Sequence, residues 1–250
     1  IAPPGVEAVT IRHDDLTALP AVGGEAELQR RAQLDASRPF DLESGPLFRV
    51  TAFRLASDEH ALAVTLHHII AEGWAMDVFA REYAALYEAF DAGQQSPLPP
   101  LPLQYAEYAV WQRRWLASGE AQRQLDHWRR TLGDEHPVLE LPADRPRPAS
   151  PSYRGDWHRI RLGRALTERV ERCAVERGAT VPMVLTTALL ALLNRYTGER
   201  RLRVGYPVAN RVRPEFEGLI GAFLNTQVLA CEVDPGLSLG ELLERVRSAS

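Results

Sequence analysis

The sequence predicts an α/β protein of two lobes, and three observations carry that prediction. Strand-like and helix-like stretches are mixed in both halves of the 250 residues, the pattern of sheets covered by helices. Four prolines crowd residues 142–151 and divide the chain into lobes at 1–141 and 156–250, with a proline-rich crossing at 142–155. The composition, 45% hydrophobic and 25% charged, is ordinary for a globular chain and leaves room for more than one core.

Each element has its own signal. Residues 1–24 show little periodicity, and Ala26–Leu34 reads as a short helix. Leu47–Leu55 alternates as a strand, with Phe48, Val50 and Ala52 opposite Leu47, Arg49 and Thr51. A polar turn, Ala56–His60, leads to Ala61–His68, nearly all apolar like a buried central strand. Ala75–Phe90 is an amphipathic helix with Val78, Phe79, Tyr83, Leu86, Tyr87 and Phe90 at helical spacing, and Gly93 stops it. After the connector Ser96–Pro102, Gln104–Leu116 carries Tyr105, Tyr108, Trp111 and Trp115 three or four residues apart, a core-packing pattern. A further helix spans Glu120–Leu132. Beyond the proline-rich crossing, Asp156–Leu162 alternates as a strand. Helices are predicted at Leu166–Arg177 and Val181–Tyr196, the second closed by Gly198, and strands at Leu202–Val208 and Thr226–Val233. Leu239–Val246 reads as a helix that reaches Ser250 without a stop signal.

Charge and composition exclude several function classes. All 29 basic residues are arginine, set against 33 acidic ones, so a net charge of −4 gives no basic excess for nucleic acid. No run of about 18 apolar residues predicts a membrane span. Ile1–Gly5 has no initiating Met, no charged leader region and no apolar core of a signal peptide, so the start reads as an internal cut of a longer chain. Cys173 and Cys231 lack CxxC spacing, and a reduced, cytoplasmic setting with two inert buried thiols fits them.

Of the seven histidines only His67 and His68 are adjacent, at the end of the most buried-looking strand and before a short loop into a helix. Successive strand residues face opposite ways, so one of the pair is expected to be structural and the other reactive. A neutral imidazole can take a proton from an amine, alcohol or thiol. Glu72 is placed to shape the loop through a salt bridge, and Gly73 to allow a backbone turn denied to other residues. On the residues alone, the pair fits either plain hydrogen-bonded histidines or a reactive site. HHxxxE is not the HExxH of a zinc site, and GxSxG, GxGxxG and GxxxxGK[ST] are all absent.

The stretch His67–Trp74, HHIIAEGW, resembles the HHxxxDG signature of nonribosomal peptide synthetase condensation domains, members of the chloramphenicol acetyltransferase-like superfamily. Five further resemblances follow the family's order. They are Arg38–Glu43 with Pro46, Leu47 and Arg49 (RPFDL…PLxR), Tyr105–Trp111 (YxDYAVW) and Leu141–Pro148 with Gly155 (LPxDRPRP…G). Gly205–Glu215 (GxPVxxRxRPE) and Ile220–Thr226 (IGxFVNT) complete the set.

The resemblance implies two chloramphenicol acetyltransferase-like lobes in a V shape, the second incomplete here. It implies a tunnel approached by donor and acceptor peptidyl carrier proteins, each bringing a thioester on 4'-phosphopantetheine. An adjacent adenylation domain is implied in the same megasynthetase, with no permanently bound cofactor or metal, no nucleic acid and no membrane. The reaction it implies is amide formation. His68 is the reactive-site residue, as general base or as the group that positions the amine. His67, Glu72 and Gly73 complete the motif, and the motif acid pairs with an arginine expected upstream of Ile1. Trp74, Arg211 and Asn225 are expected to bind substrate, although Arg211 reads equally well as a solvated or salt-bridged arginine, and Asn225 as a residue satisfying backbone groups.

Three positions depart from the family pattern: Glu72 and Glu107 stand for Asp, and Ala75 for Ser. The family's early motifs (SxAQxRLW, RHExLRTxF) and late ones (QxxPFE, RDxSRNPL) fall outside the 250 residues. The alternatives are an epimerisation or ester-forming member of the superfamily, or a non-catalytic docking platform. The intact histidine pair disfavours heterocyclisation.

Overall fold

The computed structural model describes residues 10–136, 138–152, 155–156 and 158–250. The chain is α/β, as the sequence predicts, and its internal contacts divide it into two units.

The first unit takes the chain up to Ala117 together with Ala209–Asn225. Its sheet has the order β1 (Ile11–Asp15), β2 (Phe48–Arg54), β3 (His60–Leu66). β1 runs parallel to β2, pairing Ile11 with Val50, and the connection between them carries helix α1 (Ala21–Ser37). A parallel pair needs such a crossover, whereas β2 and β3 are antiparallel and need only the turn between them. On β2 the buried side chains are Thr51 and Phe53. Helix α2 (Gly73–Asp91) follows β3 and buries Ala75, Val78 and Ala89. Its predicted apolar stripe is only partly covered: Phe79, Tyr83 and Tyr87 stack on one another along the helix, and Tyr83, Tyr87 and Phe90 are exposed.

Helix α3 (Tyr105–Trp115) begins with the Gln104 N–H donating to the Glu107 carboxylate at 2.7 Å, so the Glu at the motif's Asp position caps the helix. Tyr108 is buried with Phe216, Leu219 and Phe223, and Tyr105 and Trp111 pack around them. The aromatic spacing read as core packing is core at Tyr105, Tyr108 and Trp111, whereas Trp115 stacks on Trp111 from an exposed position. Half of that core comes from the returning segment, which is why 209–225 joins the first unit. Gly221 permits the closest approach. A Cβ there would lie 2.1 Å from Tyr105 Cδ2, on a ring pinned by its hydroxyl donating to Ala222 O at 2.7 Å. Gly221→Ala is expected to destabilise the protein by about 1–3 kcal/mol through overpacking, read as a lower denaturation midpoint.

The second unit takes Ser118–Val208 and Thr226–Ser250. After a kinked turn at Leu116–Glu120 come α4 (Ala121–Leu132), α5 (Arg164–Glu176) and α6 (Val181–Thr197). Strands β4 (Arg201–Val208) and β5 (Asn225–Glu232) pair, and α7 (Leu239–Ala249) closes the unit. Leu190, Leu202, Leu229, Cys231, Val233, Leu242 and Val246 form its core. Thr180 and Ser238 cap α6 and α7, and Gly198 ends α6 at φ 74°, a left-handed stop that favours glycine. Among the described residues no single helix is long and apolar enough to cross a membrane.

Three sequence expectations need correction. Among the described residues of Asp156–Leu162 there is no strand, and Ile160 and Leu162 are exposed. Alternation states which faces a strand would have, not that a ladder partner is present. The strand predicted through His68 stops at Leu66. The predicted short helix at Ala26–Leu34 is the middle of a 17-residue helix.

Candidate functional site

The histidine loop starts where β3 ends. The His67 N–H still donates to Leu47 O at 2.9 Å, but the next turn is built by His67 itself. Its Nδ1 accepts the Ile69 N–H at 3.1 Å, and its carbonyl accepts the Ile70 N–H at 3.0 Å. These bonds turn the chain out of the ladder, so the two rings differ through a loop and not through strand alternation. The His67 imidazole is half-buried, with the Phe40 ring perpendicular to it at 5.9 Å. His68 is exposed, and among the described residues no hydrogen bond, ion pair or ring contact engages its imidazole.

Four residues on, the loop is anchored from beneath. Glu72 is 4% exposed, and its carboxylate meets the Arg211 guanidinium, each side chain only 2% exposed. Arg211 Nε and Nη2 donate to Glu72 Oε1 at 3.2 and 3.0 Å. Its Nη1 donates to the carbonyls of Phe216 and Leu219, and its Cζ lies 4.1 Å from the Phe223 ring centroid. A buried ion pair needs this kind of added hydrogen bonding to offset its desolvation. The motif acid, whose arginine was expected upstream, therefore has a partner 139 positions downstream within this chain. Just before Arg211, Asn210 adopts φ 52°, a conformation asparagine tolerates better than most residues.

Burial pushes the Tyr105 and Tyr108 phenols above their ordinary pKa, and the Glu72 charge adds to the effect at Tyr105. Both stay neutral beside the ion pair; the Tyr105 hydroxyl donates to Ala222 O, and the Tyr108 hydroxyl accepts the Gln112 side-chain N–H at 2.8 Å. Trp74 ties the start of α2 to the same returning segment, its Nε1–H donating to Glu217 O at 2.9 Å while its ring stays partly exposed.

The structure brings His67, His68, Glu72, Trp74 and Arg211 to one loop and the segment that braces it. The geometry turns Arg211, expected to bind substrate, inward. Asn225 opens β5 as an exposed residue. Gly73 needs correction: it is the first residue of α2, its φ is not positive, and a Cβ there meets nothing within 4 Å. A first-turn helical conformation is open to most residues, so no special turn requires glycine here. Sequence reasoning missed Phe40 and Arg49 as supports of the loop. Their signals were membership of the RPFDL…PLxR resemblance and, for Arg49, an arginine in a mostly apolar strand pattern, a charge that must find partners if it is covered.

Comparison with known proteins places this geometry among related chains. The model of the family described as Condensation domain matches residues 7–250. Phosphinothricin tripeptide synthetase PhsC of Streptomyces viridochromogenes is 43% identical over 233 residues, 93% of this chain and 22% of that protein. The X-domain from teicoplanin biosynthesis has a TM-score of 0.81 at 31% identity, covering 100% of this chain and 54% of that one. The first condensation domain of the calcium-dependent antibiotic synthetase has a TM-score of 0.74 at 27% identity, covering 99% and 56%. The chain thus spans a minor part of that relative and about half of each of these solved chains.

Proposed function

Since this chain belongs to the Condensation domain family, we propose that it serves amide formation between two carrier-borne thioesters in a nonribosomal peptide synthetase. The α-amine of an acceptor aminoacyl thioester attacks the donor's acyl or peptidyl thioester carbonyl. A C–N bond forms, the C–S bond breaks, and the donor arm leaves as a thiol that gains the proton lost by the amine. Both substrates ride on 4'-phosphopantetheine of peptidyl carrier proteins, with an adenylation domain nearby in the same cytoplasmic megasynthetase.

The observation that carries the reading is an exposed His68 imidazole, unengaged among the described residues, on a loop braced by the buried Glu72–Arg211 pair. An imidazole there accepts the amine proton or holds the amine by a hydrogen bond, and either role needs reach within about 3 Å. His67 supports the turn, and Glu72 and Arg211 hold the loop from below. Trp74 and Asn225 are the exposed candidates for substrate contact, and Gly73 leaves the space before α2 open.

A second reading is a docking platform. Its support is the likeness to the teicoplanin X-domain, which has been solved in a complex with OxyB. Incubating a complete condensation domain that carries these residues with loaded donor and acceptor carriers separates the two. Amide product on the acceptor carrier, read by mass spectrometry, is the expected result. Absence of product from a folded domain with loaded carriers would favour the platform.

A further inference from the structure

We infer that Arg49 and Phe40 are positioning residues that set the His67–His68 loop, an inference that rests on the condensation reading above. Arg49 sits on β2 opposite Thr65 of β3, with its side chain 20% exposed. Its guanidinium donates to the carbonyls of Asp35 at 2.7 Å and Arg38 at 2.9 Å, and to the Asp35 carboxylate at 3.2 Å. These bonds hold the end of α1 and the segment after it against the strand. The same guanidinium covers the next aromatic, its Cζ 3.8 Å from the Phe40 ring centroid. Phe40 in turn presents its ring to His67 at 5.9 Å and 87°.

His67 is thus held between the Phe40 ring and the Leu47 carbonyl that receives its N–H. Its Nδ1 accepts a backbone N–H from Ile69, so Nδ1 carries no proton and a neutral ring is the Nε2–H tautomer. That bond turns the backbone at His68. The order of dependence is Arg49 to Phe40, Phe40 to His67, and His67 to the direction in which His68 leaves the loop. Lysine cannot replace Arg49 here. A point charge on a flexible stem does not reach several fixed oxygens while stacking on a ring, and the planar guanidinium does.

The test uses a complete condensation domain with these residues and two variants, Arg49→Lys and Phe40→Leu. Three readouts are taken together: kcat and KM for amide formation, 15N spectra of the imidazoles, and thermal unfolding. Arg49→Lys is expected to lower kcat about tenfold with KM unchanged, since a displacement of under about 1 Å at the reacting group costs rate before it costs binding. The His67 spectrum should pass from a single Nε2–H tautomer to a mixture. Phe40→Leu keeps the carbonyl bonds of Arg49, so it decides the matter if Arg49→Lys does not fold, and it should change kcat and spectrum in the same direction. A folded variant with wild-type kcat, or one that loses kcat while His67 keeps its tautomer, would overturn the inference. If no amide forms even with the wild-type residues, the condensation reading fails, and the spectra still report whether Arg49 and Phe40 set His67.

Discussion

Replacing Arg211 by methionine is expected to lower stability by about 3–5 kcal/mol, the cost of leaving a buried charge without its partner. The Glu72 and Arg211 side chains are each 2% exposed, so water does little to compensate the survivor. The loss extends past the ion pair, because the Phe216 and Leu219 carbonyls also lose their donor and the Phe223 ring its covering cation. Arg211→Met removes the charge and keeps much of the volume. Glu72→Gln tests the reverse case, an arginine left with a weaker acceptor. The double variant is expected to lose less than the sum of the two, since it removes both buried charges at once. Denaturant unfolding of a complete condensation domain with these residues reads all three. A single-variant loss below about 1 kcal/mol would mean that the pair behaves like a surface salt bridge.

How far the sequence exposes this arrangement depends on what each residue's neighbours are. Strand β2 and helices α2, α3 and α5 to α7 are legible because a covered face imposes a period that a local window can read. β1 is not legible: Ile11–Asp15 reads IRHDD, and an edge strand with mostly exposed side chains shows no apolar alternation. The first turn of α1 is hidden by Gly23 and Gly24, weak helix formers that the longer helix tolerates.

The site divides in the same way. The adjacent histidines stand out locally, and so does the acid four positions after them. The Glu72–Arg211 partnership does not, since 139 residues separate the two and nothing in a local pattern joins them. Gly73 suggested a strained turn because glycine permits one, yet its helical conformation needs none. The roles of Phe40 and Arg49 come from three-dimensional contacts, Arg49 with the carbonyls at a helix end and Phe40 with Arg49 and His67, which side-chain periodicity cannot display.

His68→Ala is expected to cost condensation about 10²–10⁴-fold in rate, the range of a positioned proton-transfer group. The same change should leave stability within about 0.5 kcal/mol, as for a surface substitution away from packed features. His68 is exposed, and among the described residues its ring makes no contact that holds the fold. A separation of rate from stability is therefore what distinguishes it from Arg211, whose loss should move both. The most direct measurement is the single-turnover rate of amide formation between loaded donor and acceptor carriers, for wild type and His68→Ala, with the unfolding midpoints of both recorded alongside. The account predicts a rate lower by about two orders of magnitude or more at an unchanged midpoint. Equal rates from two folded proteins would contradict it and leave His68 without a catalytic role.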